Sequence, residues 1–206
     1  MSGADALEFW FEFASTYSYP AAMRIEERAR AAGVPLRWKA FLLGPIFAAQ
    51  GWNDSPFNLY PVKSRYMWRD LERVCAALEL PMRRPSRFPR NGLRAARIAC
   101  WFEDEPWLPA FVRAVYDANF ARDADIAEPQ VLAACLARAG APAEALDAAG
   151  DDAARAKLRA RVDEAVALGI FGAPSFVVGG EVFWGNDRLE DALAWARGAR
   201  PDRARA

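Results

Sequence analysis

Two brief apolar segments bracketing one helical segment constrain this chain most. Residues 7–13 read LEFWFEF and residues 36–42 read LRWKAFL. Both are short and rich in aromatic and apolar side chains, which predicts strands, with Glu8 and Glu12 interrupting the first and Pro35 opening the second. A helix is predicted from Tyr17 to Ala32, ended by Gly33 at a position that favours glycine. Strands joined by such a crossover run parallel. The far end of the chain carries a helix over Asp151–Leu168, with acidic residues at its start. Strands at Ser175–Val178 and Glu181–Trp184 follow, joined by Gly179-Gly180 as a hairpin, and then a last helix over Asp187–Arg197.

Between these ends the pattern changes. Gly44-Pro45 breaks the second strand, and residues 51–61 (GWNDSPFNLYP) read as a loop. Helical segments follow at about Val62–Leu80, Gly92–Glu103, Pro106–Asn119, Pro129–Ala139 and Ala143–Ala149. Residues 1–43 and 151–198 therefore form one discontinuous α/β domain, residues 44–150 a helical insertion, and residues 199–206 a charged tail. The order β-α-β, insertion, α-β-β-α matches a thioredoxin-like fold with a large all-helical insertion.

Composition removes several kinds of chemistry. The chain has no histidine, which excludes Ser-His-Asp and Cys-His machinery and any histidine metal site; no metal is expected. Its three cysteines (Cys75, Cys100, Cys135) form no CxxC pair and sit in apolar helical contexts, as free thiols do in a reducing compartment. The N-terminus lacks the pattern of a signal peptide and no apolar run is long enough to span a membrane, so the cytoplasm is the expectation. The net charge is +0, which gives no bias toward nucleic acid or an anionic membrane. Lys63 to Arg97 nevertheless holds ten basic and three acidic residues. A solvated helical face accounts for this; a positive field over a cleft that draws in an anionic ligand is the sharper alternative.

Three constellations carry chemistry. Ala173-Pro174 stands directly ahead of a strand, and in this order of elements a cis bond is expected, leaving the Ala173 N–H and C=O free of ladder partners and able to pair with an extended peptide-like ligand. In Phe13-Ala-Ser15-Thr-Tyr-Ser18, Ser15 occupies the place of a redox cysteine at the start of the first helix and Ser18 that of its partner. A serine cannot exchange disulfides, and without histidine it is not activated as a nucleophile. It can cap the helix, and it can donate a hydrogen bond to a thiolate held where the helix dipole favours negative charge. In Trp184-Gly-Asn186-Asp187-Arg188, Asn186 or Asp187 can cap the last helix, or Asp187 can hold an ammonium while helix N–H groups hold a carboxylate.

With these residues in place, the sequence resembles the 2-hydroxychromene-2-carboxylate isomerase family, relatives of kappa-class glutathione transferases and of DsbA-like proteins. The resemblance is carried by FEFASTYSY (11–19), NDSPFNLYPVKSRYMWRDLERV (53–74), FPRN (88–91), FGAPSF (171–176) and WGNDRL (184–189). It implies a glutathione-dependent isomerase of aromatic catabolism acting by reversible thiolate addition. Ser15 would be catalytic, and Ser15, Ala173, Pro174, Asn186, Asp187 and Arg188 would bind the cofactor. Phe47, Asn58, Phe88 and Asn91 would lie at or near an anionic aromatic substrate, and the protein would be a homodimer. A family lysine falls on Phe47, which removes one carboxylate partner; Arg65, Arg69 and Arg73, one turn apart, offer a replacement. Trp52, Phe57, Phe88 and Trp184 are expected to converge on Ser15. A kappa-like transferase and a non-catalytic thioredoxin-like binding protein are the alternatives.

Overall fold

A computed structural model describes residues 4–52 and 56–199, the side chains of Pro56 and Asn58 excepted. Strand β1 (Leu7–Phe11) is central in a four-stranded sheet of order β2-β1-β3-β4. It pairs parallel with β2 (Leu36–Ala40), with Phe9 beside Trp38, and antiparallel with β3 (Ser175–Val178), with Phe9 beside Phe176. β3 turns into β4 (Glu181–Trp184) as the Gly-Gly hairpin predicted. β1 is covered on both faces, which is why LEFWFEF lacks clean alternation. Phe9 and Phe11 belong to the main core, and Trp10 to a second cluster on the opposite face with Phe41, Ile46, Val162 and Val177.

The crossover helix α1 spans Ser18–Ala32 and ends at Gly33 with φ 67°, a conformation open to glycine at no steric cost. Two short helices, α2 (Leu43–Ala49) and α3 (Pro56–Leu59), lie where the sequence reads as a break and a loop. Pro45 sits in the first turn of α2, where its missing N–H has no intrahelical partner to lose. The larger helices follow the predicted segments: α4 (Pro61–Ala77), α5 (Leu93–Trp101), α6 (Leu108–Phe120) and α7 (Pro129–Ala139), then a 3-10 segment at Ala143–Ala149. α8 (Asp152–Ala167) starts at Asp151, whose side chain accepts the Ala154 N–H, and α9 (Leu189–Ala196) closes the described chain.

Phe111 and Tyr116 of α6, Met67 and Leu71 of α4 and Leu132 of α7 share one core with Phe9 and Phe11. The inserted helices thus supply one wall of the sheet's own core. Beneath α8, Glu103 is ringed by Arg161 (2.8 Å), Lys157 (3.0 Å) and Lys39 (3.4 Å), which ties the end of α5 to α8 and β2. No helix among the described residues is long and apolar enough to cross a membrane.

Candidate active site

The turn from β1 into α1 faces the segment before β3. The Ser15 hydroxyl donates to the Ala173 carbonyl at 2.8 Å and accepts the Ser18 N–H at 3.3 Å. Ser15 thus caps the first N–H of α1 while reaching across to the second strand pair. The Ala173–Pro174 peptide is cis, as expected. The Pro174 carbonyl accepts the Gly185 N–H at 2.9 Å, and the Ala173 N–H has no backbone partner among the described residues. One of the two expected free groups of Ala173, its carbonyl, is therefore occupied by Ser15.

The turn is held from behind by buried polar groups that sequence reading missed. The Glu12 carboxylate accepts the Ala14 N–H at 3.0 Å, and the Glu12 carbonyl accepts both the Ser15 N–H and the Tyr116 hydroxyl. Asn119 of α6 donates to the Phe13 carbonyl at 3.1 Å. Arg90, from the FPRN segment, donates to Asn119 and pairs with Asp123. The Ser86 N–H and hydroxyl and the Arg90 guanidinium hold the Asp123 carboxyl down at about 2. Gly92 passes so close that a β-carbon there would lie 2.9 Å from Phe13 Cβ. A lone arginine in a loop motif carries no sequence signal of this role, because its partners lie about one helix away in the chain.

The corner after β4 differs from the capping arrangement. Residues 186–188 form a 3-10 turn before α9, and neither Asn186 nor Asp187 caps a helix. Arg24 of α1 donates instead to the Asn186 carbonyl (2.6 Å) and side-chain oxygen (3.1 Å), locking the corner to α1. Gly185 adopts φ 117°, and a β-carbon there would lie 2.5 Å from Asp187 Oδ1. Asp187 pairs with Arg188 at 3.2 Å, and Arg188 also with Asp191 at 2.9 Å, with 72% of the Asp187 side chain and 52% of that of Arg188 exposed. Tyr17 joins this corner to α4. Its hydroxyl donates to Asp70 at 2.8 Å, and burial, then Asp70, then the charges of Tyr66 and Asp187, push its phenol upward.

The aromatic side chains predicted to converge on Ser15 pack on their own neighbours. Trp52 lies against Phe47, Phe88 edge-on against Trp68, and Trp184 edge-on against exposed Phe171; Phe57 packs on the main core. Asn91 is exposed and its side chain accepts the Leu93 N–H at the start of α5. The Asn58 side chain lies outside the described residues. Of the α4 arginines, Arg69 pairs with Glu72 and Arg73 with Asp70. Exposed Arg84 stacks on Trp68, which sets a cation beside Phe88. A depression of about 590 Å³ beside β2, lined by Leu36–Lys39 and Glu103–Pro106 among others, includes none of the predicted site residues.

Residues 6–194 match the DSBA-like thioredoxin domain. The chain is also 31% identical, over 89% of its length and 94% of the relative's, to 2-hydroxychromene-2-carboxylate isomerase of Sphingobium xenophagum. It belongs to the 2-hydroxychromene-2-carboxylate isomerase family. A solved structure of 2-hydroxychromene-2-carboxylate isomerase superposes with a TM-score of 0.83 at 26% identity, each chain covering 94% of the other. Glutathione S-transferase kappa 1 of Homo sapiens is 27% identical over 89% of this chain and 87% of its own. The family is thus an isomerase family on a DsbA-like frame, and the thiol pair of disulfide chemistry is absent from this member's first turn, which reads Ser15-Thr-Tyr-Ser18.

Proposed function

We propose that this isomerase-family enzyme uses glutathione to isomerise anionic aromatic acids of the 2-hydroxychromene-2-carboxylate type in the cytoplasm, as a homodimer. The single observation that carries the reading is Ser15, hydrogen-bonded to Ala173 directly before the α1 N-terminus. The kappa transferase relative, a glutathione enzyme by name, supports the cofactor, and the isomerase relatives support the substrate. The residues fit the group: an Ala173 N–H with no backbone partner, a helix N-terminus, and exposed Asp187 and Arg188 for the two charged ends of a peptide.

Bound glutathione would supply a thiolate that adds reversibly to the opened substrate, giving a bond free to rotate before elimination. Ser15 has one hydroxyl proton. Turned toward sulfur, that proton would free the Ala173 carbonyl, and the Ala173 N–H and C=O would together hold the cofactor's backbone. Asp187 would hold the ammonium, and Asn186, fixed by Arg24, sets the corner's shape. Phe47, Asn58, Phe88 and Asn91 are the substrate side of the reading, with Arg84 as the carboxylate partner that Phe47 cannot be. Calorimetric titration tests it. Glutathione should bind in the micromolar-to-millimolar range, and Asp187→Ala should weaken binding at least tenfold, about 1.4 kcal/mol. No binding at many millimolar would refute the cofactor assignment.

A further inference from the structure

The turn that would receive a thiolate already holds a carboxylate of its own. Glu12 is 9% exposed, its side chain bound to the Ala14 N–H and its carbonyl to Ser15 and Tyr116. No lysine or arginine pairs with it among the described residues. The titratable and charged groups on the elements around it are few. Tyr116 of α6 has a buried phenol held protonated. Tyr17, just before α1, and Tyr19 of α1 direct their hydroxyls to Asp70 and to the Pro81 carbonyl. Arg90, before α5, is engaged by Asn119 and Asp123. The segment 172–175 offers no ionisable side chain. Burial pushes the Glu12 carboxyl up to about 7, with the Ala14 and Ser15 N–H groups only partly opposing it. A chain without histidine thus carries a proton-exchanging group at neutrality, directly behind the Ser15 turn.

Two anions on the two sides of this short turn would repel one another in a poorly solvated setting, and like charges so placed do not ionise together. We propose that Glu12 and a thiolate at Ser15 exclude one another as anions, so that the proton given up by the thiol is taken up by the Glu12 carboxylate. The S–H bond breaks, an O–H bond forms on Glu12, the site keeps one negative charge, and nothing is oxidised or reduced. Glu12 acts through the turn and is a positioning and proton-holding residue. The inference rests on the glutathione reading.

Proton linkage tests it. Glutathione is titrated at about pH 8 in buffers of different ionisation enthalpy, which counts protons released per ligand bound. Thiolate absorbance is followed in parallel, and S-methylglutathione, which has no ionisable thiol, is the control. The wild-type protein should form thiolate with close to zero protons released, and Glu12→Gln should release about one. S-methylglutathione should release none from either. Thiolate formation with about one proton released by the wild type, or equal counts from both proteins, would overturn the proposal and leave the glutathione reading standing. Should the variant not fold, the wild-type count decides alone. Absence of any glutathione binding would instead end the cofactor reading, and this proposal with it.

Discussion

Ser15 is the residue on which the site turns. Its hydroxyl satisfies Ser18 and Ala173 together, so it serves the fold before it serves a ligand. Ser15→Ala should lower stability by only about 1 kcal/mol, the usual worth of a cap. The same change should lower turnover by roughly a hundredfold, the scale for loss of one donor to a developing anion. Urea midpoints and kcat measured on one preparation separate the two; equal small losses in both would reduce Ser15 to a cap. The Ser15 turn and the cis proline it faces are legible in the sequence because a helix start after an aromatic strand and a proline before a β run are local patterns. Glu12, Tyr17, Arg24 and Arg90 were not legible. Each acts through partners 29 to 162 residues away or through burial, and no window of sequence reports either.

At the scale of elements, α6 is the support of the Ser15 turn. Tyr116 and Asn119 lie one turn apart on its buried face and hold the Glu12 and Phe13 carbonyls, while Arg90 holds Asn119. The sequence predicts this helix only as one segment of an insertion into the α/β unit. The structure makes it the back wall of the site, because β1 needs cover on both faces and its last carbonyls need buried donors. Asn119→Ala leaves the Phe13 carbonyl unpaired and should destabilise by about 2 kcal/mol. It should also lower turnover, since the Ser15 turn loses an anchor. A denaturation midpoint unchanged from wild type would contradict this. The sequence reads 43–49 as a break at Gly44-Pro45 and 56–59 as part of a loop, yet both form short helices because Pro is tolerated in a first turn.

For the whole molecule, charge is arranged for structure. The basic stretch from Lys63 to Arg97 is answered by Asp123 for Arg83 and Arg90, by Asp125 for Arg87, and by carbonyls for Arg94 and Arg97. Two carboxyls, one buried and one partly buried, then set opposite pH trends. Glu12, raised by burial to about 7, contributes stability in full below about pH 4.5, and that contribution is lost as pH rises through 7. Glu103, which burial would raise, is held at about 2 by hydrogen bonds from Arg161 and Lys157, so its contribution is present above pH 4.5 and lost as pH falls through 2. Stability should therefore peak on the acid side of neutrality and fall by up to about 3 kcal/mol between pH 5 and 8. Urea melts against pH would show it; the fall should vanish in Glu12→Gln, and its persistence there would place the titrating group elsewhere.

The most direct measurement is conversion of 2-hydroxychromene-2-carboxylate by the purified protein, followed by absorbance with glutathione absent and then added. The account predicts conversion only when glutathione is present, with the thiol recovered unchanged and the rate cut sharply by Ser15→Ala. Conversion at full rate without any thiol, or none with glutathione at saturation, would contradict it.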